Sequence, residues 1–194
     1  MKRILLGAVA GGLIVFAWSA LLHMATPLGM AGINVLPGEE SVLAAVRANV
    51  REDGFYFFPA AGMSPDMTPE QHEAWAERMR TGPSGIMVVH PQGTEPMSPR
   101  QFVYELLFDI LAALVVAIGL AHAAAPYGRR VLLVALAGVF AWLAISASYW
   151  NWYGFPAALV GAELVDQVGG WLLAGLAMAK IVRPIIVGHS DSNG

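Results

Sequence analysis

Four stretches of the chain are apolar for about the length that a helix needs to cross a bilayer. They run from about Ile4 to Met24, from Phe102 to Ala125, from Val131 to Trp150 and from Ala157 to Val182. A hydrocarbon core ~30 Å thick is crossed by ~20 helical residues. In lipid the backbone must satisfy its own hydrogen bonds, so each stretch is read as a transmembrane helix. Pro126-Tyr127-Gly128 supplies the turn after the second span. Gly154-Phe155-Pro156 supplies the turn before the fourth, with Pro156 near a helix start. Lys2 and Arg3 would suit the head of a secretory signal. The apolar stretch behind them exceeds the ~7–15 residues of a signal core, so it is read as an uncleaved helix.

Between the first and second spans the pattern changes. "PGEESVLAAVRANVRED" places Val42, Leu43, Val46 and Val50 near helical spacing behind acidic residues, which predicts a short amphipathic helix. "GFYFFP" reads as a short aromatic strand or a segment lying at an interface. "SPDMTPEQHEAWAERMRTG" predicts a second helix, with Thr68 as N-cap, Pro69 in the first turn, Gln71 closing a capping box and Gly82 as the stop. "GIMVVHP" reads as a strand that could pair with "FYFFP". Ser98 and Pro99 then open the second span. The resulting division is a first transmembrane helix at 1–24, an α+β insert at 25–100, further spans at 101–125, 131–150 and 156–182, and a tail at 183–194. The fold class is an all-α transmembrane four-helix bundle carrying a small α+β extracytoplasmic insert. So few aliphatics in the insert imply that it packs on the membrane surface or on the helix ends, because a small domain alone is marginal.

Composition agrees. Of 194 residues 57% are hydrophobic and 13% charged, against about 45–50% and about 25% in soluble domains. With no cysteine, disulfides, thiolate metal sites, iron–sulfur clusters and cysteine nucleophiles are all excluded. No basic patch points to nucleic acid. The net charge of −3 says less than where the charges lie. Lys2 and Arg3, Arg129 and Arg130, and Lys180 and Arg183 all flank the spans on one side if the helices alternate. The positive-inside rule makes that side the cytoplasm, with both termini there and the insert outside. The arginines of the long insert carry little weight in that rule. Tyr149, Trp150, Trp152, Tyr153 and Phe155 crowd the opposite end of spans three and four, as an interfacial aromatic belt does.

The chemistry-bearing residues are those that lipid should exclude. Glu105 and Asp109 lie one turn apart in the second span. Glu163, Asp166, Gln167 and Gly170 share one face of the fourth, and Ser19 and His23 lie one turn apart near the end of the first. All fall at similar depth, so three helices contribute to one polar layer. A charge at the bilayer centre costs at least ~2.5–3.5 kcal/mol, so these groups must face protein, a water cavity or the insert. Glu105, Asp109, Glu163, Asp166 and Gln167 are the candidates for binding a ligand or ion. His23 with Glu105 and Asp109 has ligand types suited to a divalent metal such as zinc, iron or manganese, and a divalent metal is the one cofactor these residues suggest. The Glu-x-x-His pattern of di-iron bundles is absent. The structural alternative is that the carboxylates cap backbone groups of the insert or pair with Arg100, Arg47 or Arg51. His72, His90 and His122 are read as structural or solvated.

"TGPSGI" breaks the nucleophile-elbow pattern at Ile86, and no phosphate-loop, dinucleotide or H-E-x-x-H motif is present. Gly7 and Gly11 form a G-x-x-x-G pair, read as packing within the bundle ahead of a dimer face. "SALLHMATPLGMAGINVLP", "GPSGIMVVHPQG" with the "MSP" that follows, and "FAWLAISASYWNWYGFPAALVGAELVDQVGGWLLAGL" together resemble a family of uncharacterised bacterial inner-membrane proteins with four spans and an outward insert. The resemblance covers most of the chain. It implies the topology and a bacterial source, and carries over no activity and no functional residue. The leading expectation is a non-enzymatic accessory or scaffold protein, whose insert meets a membrane or periplasmic protein partner while lipid surrounds its helices. The alternative is a transporter-like protein that binds a proton, cation or metal at the carboxylate layer. A membrane enzyme acting on lipid or quinone ranks third, for want of a nucleophile or cofactor motif.

Overall fold

A computed structural model describes residues 1–59 and 65–185. The helices are α1 (Lys2–Ala25), α2 (Glu39–Asn49), α3 (Pro69–Thr81), α4 (Pro99–Ala121), α5 (Tyr127–Ala144), α6 (Ser146–Tyr153) and α7 (Ala157–Ile181). The strands are β1 (Gly54–Phe58) and β2 (Gly85–Val89), and a 3-10 turn covers Pro27–Met30. Most of the expected tail at 183–194 lies outside the described residues. The chain divides into two compact units: Asn34–Pro96, and Met1–Ile33 with the chain from Met97 on.

Four helical segments are long and apolar enough to cross a membrane: Lys2–Ala25, Pro99–Ala121, Tyr127–Tyr153 and Ala157–Ile181. The second begins earlier than hydropathy suggests, because Ser98 and Pro99 start it. The Ser98 N–H donates to Gln101 Oε1 at 2.7 Å, and the Ser98 hydroxyl to the same oxygen at 3.0 Å. It also ends earlier, at Ala121, with His122 as its cap. The third segment differs more. Instead of one helix over 131–150, α5 and α6 meet at Ile145, which adopts φ −115° and ψ −70°. Hydrogen bonds from Ile145 N–H to Ala141 O and from Tyr149 N–H to Ile145 O carry the backbone across that break.

Within this unit α1 packs along both α4 and α7, and α7 also packs along α5, whereas α4 and α5 touch little. The core is built of small residues: Ala8 on α1, Ala113, Ala117 and Ala121 on α4, and Ala174 on α7, closed by Val134, Trp171 and Met178. Leu13, Phe108, Leu111, Val115 and Phe140 point outward. This inverts the usual soluble pattern, as membrane helices do. Lipid tails are as apolar as leucine, so association depends on close backbone approach rather than on burying large side chains. Gly7 and Gly11 meet Val182 and Met178 at the end of α7, and Gly12 meets the Ile110 backbone of α4. The G-x-x-x-G pair thus serves packing within the chain.

One buried cation organises the end where α1 and α5 begin and α4 and α7 finish. Arg130 is 3% exposed. Its guanidinium donates to Leu120 O at 3.1 Å, Ala123 O at 2.6 Å and Val182 O at 2.7 Å. The Ile185 N–H donates to Ala121 O at 2.7 Å. The last carbonyls of a helix have no partner within it and carry its negative dipole end, so one arginine serves the ends of both α4 and α7.

The other unit matches its sequence pattern closely. β1 and β2 pair antiparallel, with Gly54 opposite Val89 and Phe58 opposite Gly85. Thr68 and Gln71 close the capping box of α3 in both directions, and Gly82 ends the helix at φ +66°, in the left-handed region that favours glycine. The Trp75 indole N–H donates to Pro59 O at 2.8 Å. Neither α2 nor α3 has a fully buried residue.

Candidate polar site among the membrane helices

The polar layer assembles at the end of the helices remote from Arg130. α1 brings Trp18, Ser19 and His23. The Ser19 hydroxyl donates to Asp166 Oδ2 at 3.2 Å, and the Trp18 indole N–H donates to Asp166 O at 3.1 Å. Both bonds tie α1 to α7. Glycine makes that approach possible, because Gly169 and Gly170 lie against the Trp18 ring, where a Cβ would intrude. The His23 ring donates from Nδ1 to its own helix at Ser19 O, 2.9 Å away, with Ser19 Oγ at 3.3 Å.

α4 brings Glu105 and Asp109. Since α4 starts at Pro99, Glu105 lies roughly 9 Å and Asp109 roughly 15 Å along it at ~1.5 Å per residue. Asp109 is therefore about half way along α4, which runs over Pro99–Ala121. α7 brings Glu163 and Asp166. Glu163 accepts a 2.8 Å bond from the hydroxyl of Ser146, the first residue of α6 and itself only 6% exposed. The break at Ile145 thus lies beside the residue that satisfies Glu163. Among the described residues two carboxylate oxygens, Asp109 Oδ2 and Asp166 Oδ1, are buried without a hydrogen-bond partner. A cavity of about 430 Å³ opens between α1 and α4, lined by Ser19, His23, Gln101 and Glu105 with Phe16 and Phe102 and by neither aspartate.

Five of the six site residues read from sequence therefore gather in one layer. Gln167 shares their helix face, but its backbone lies against Gly138 of α5, and no side-chain bond joins it to the layer among the described residues. Ser146 and Trp18 belong to the layer and were not anticipated. Ser146 lies beyond an apolar run with no charge to mark it, and an indole N–H is indistinguishable in sequence from a packing tryptophan. Arg100 lies 5.9 Å from the centre of the Tyr104 ring and makes no ion pair with Glu105 among the described residues. His23, Glu105 and Asp109 were the expected metal ligands. Among the described residues no group of three or more His, Asp or Glu side chains is spaced to hold a metal ion. His90 pairs with Asp53 at 2.8 Å in the other unit, beside the Gly54–Val89 end of the sheet.

Like charges in a low dielectric are relieved by shared protons or by a bound cation, and buried carboxylate oxygens need a donor or a counter-charge. An arrangement of this kind can hold a proton or a small cation at the carboxylates that α4 and α7 bring against α1. Compared with family models, with curated proteins and with solved structures, the chain matches none.

Proposed function

We propose that the chain is a multi-pass protein of a bacterial inner membrane that binds and passes a proton or small cation at Asp109 and Asp166. The observation that carries this reading is the pair of buried carboxylate oxygens without a hydrogen-bond partner among the described residues, on two helices that both pack against α1, about half way into the spans. Intramembrane acids are costly and mark ion or proton pathways. In this reading the four helices form a bundle, both termini are cytoplasmic and residues 25–100 are periplasmic. The six basic residues at the Arg130 end support that orientation.

The test is flux in proteoliposomes holding the full chain, loaded with a pH-sensitive or cation-sensitive dye. The parent should show proton or monovalent-cation entry driven by an imposed gradient. Asp109→Asn and Asp166→Asn should each lower it by about a hundredfold or more, the rough scale of removing one positioned proton-transfer group. Glu95→Gln, in the insert, should leave it unchanged. A parent that neither passes nor binds a cation or proton, with both Asn variants unaltered, sinks the reading. Elemental analysis of the same preparation tests a divalent metal at His23 and the carboxylates.

A second reading, an accessory protein with a protein partner, is favoured by the two-stranded sheet. Phe55 and Val88 face each other across the strands and are 57% and 68% exposed. An apolar cross-strand pair on a solvated face suits docking. Phe55→Ser with Val88→Ser should release any partner that cross-links to the parent and leave flux untouched.

A further inference from the structure

A second cavity, of about 420 Å³, opens between α4 and α5 towards the Arg130 end. One wall is Val116, Gly119 and Leu120, and the other is Leu133, Val134 and Ala137. The volume lies in the ~300–1,000 Å³ range of ligand clefts. Gly119 differs in kind from Gly11 or Gly12. A Cβ at Gly119 would meet nothing within 4 Å, so this glycine widens the cleft instead of letting two helices touch.

The charge at its mouth is one-sided. Arg129 precedes Leu133 by four residues on α5, so it continues the wall of the cleft towards the helix end, and it is exposed. Arg130 is used up on carbonyls. Lys2, Arg3, Lys180 and Arg183 stand at the same end, and none of them forms an ion pair among the described residues, where ion pairs occur only in the insert unit. Every described carboxylate belongs to the insert unit or to the polar layer at the other end.

We propose that the α4–α5 cleft seats an acyl chain of an anionic phospholipid whose headgroup is held by Arg129. Basic pockets between membrane helices take anionic headgroups, and an apolar slot facing lipid is filled by a chain at less cost than by water. The inference rests on the reading that these helices cross a membrane.

The experiment is native mass spectrometry of the full chain, released from nanodiscs of phosphatidylglycerol or of phosphatidylcholine. The parent should retain one phosphatidylglycerol preferentially. Gly119→Leu, which fills the slot, should lose the bound lipid in both. Arg129→Gln, at an exposed position, should keep a bound lipid but lower the preference for phosphatidylglycerol about fivefold, the effect of one basic side chain at an anionic surface. Equal retention of both lipids by the parent, or undiminished retention by a folded Gly119→Leu, overturns the proposal. So does a parent dimer that Gly119→Leu abolishes, which would assign the cleft to a second copy of the chain. A parent that stays monodisperse without detergent would instead overturn the membrane reading on which the proposal stands.

Discussion

Arg129 and Arg130 are neighbours of identical chemistry, yet one is exposed and the other holds three carbonyls. Sequence treats them as a matched topogenic pair, because a short basic loop does not reveal which side chain turns inward. Removing Arg130 leaves buried acceptors without donors, at ~1–3 kcal/mol each. Arg130→Met should therefore lower thermal stability in detergent by several kcal/mol, with Arg129→Met within about 0.5 kcal/mol of the parent. Equal effects of the two would deny Arg130 its structural role. Thr68 is the opposite case. Its capping box was legible because donor and acceptor lie three residues apart, within one turn of chain. Thr68→Ala should cost about 1 kcal/mol of insert stability, read as the unfolding midpoint of that unit in denaturant. The site carboxylates fall between these two cases. Their residue types and depth could be read from spacing, whereas the Ser146–Glu163 and Trp18–Asp166 bonds join residues far apart in the chain.

At the scale of elements, existence and type were plain and the joints were not. The four spans follow from runs of apolar residues long enough to cross lipid, and the two-stranded sheet from two short β-rich runs. The break between α5 and α6 falls at Ile145, the last residue of an apolar run, before Ser146 and Ser148 and with no adjacent glycine or proline to announce it. Helix pairing was likewise hidden. G-x-x-x-G marked Gly7 and Gly11 as a close-packing face but not which helix they meet, and Gly12, against α4, carries no motif of its own. A Cβ at Gly12 would come within 2.6 Å of the Ile110 backbone. Gly12→Val should then cost about 1–3 kcal/mol through overpacking. Gly161→Ala, where a Cβ meets nothing, should be neutral or stabilising by up to ~1 kcal/mol. Helicity followed through detergent titration separates the two, and a tolerated Gly12→Val would contradict the close α1–α4 approach.

For the whole molecule the proposed orientation is directly testable. The chain has no cysteine, so single cysteines can be placed without background. On intact cells, Glu40→Cys in the insert should react with a membrane-impermeant maleimide, and Lys2→Cys should react only after permeabilisation. The reverse pattern would invert the proposed topology. Taken by itself, the sequence determined that four helices are long and apolar enough to cross a membrane, where the insert interrupts them, and which residues are polar where lipid would exclude them. These are properties of local runs and of transfer energy, which need no knowledge of neighbours. Tertiary structure alone decided that α1 lies between α4 and α7 and that Arg130 closes two helix ends. It alone left one oxygen each of Asp109 and Asp166 buried without a partner, and it opened a cleft beside Gly119. Those features depend on which helices touch. In lipid that choice rests on shape and close approach, since no helix gains by hiding apolar surface from its surroundings.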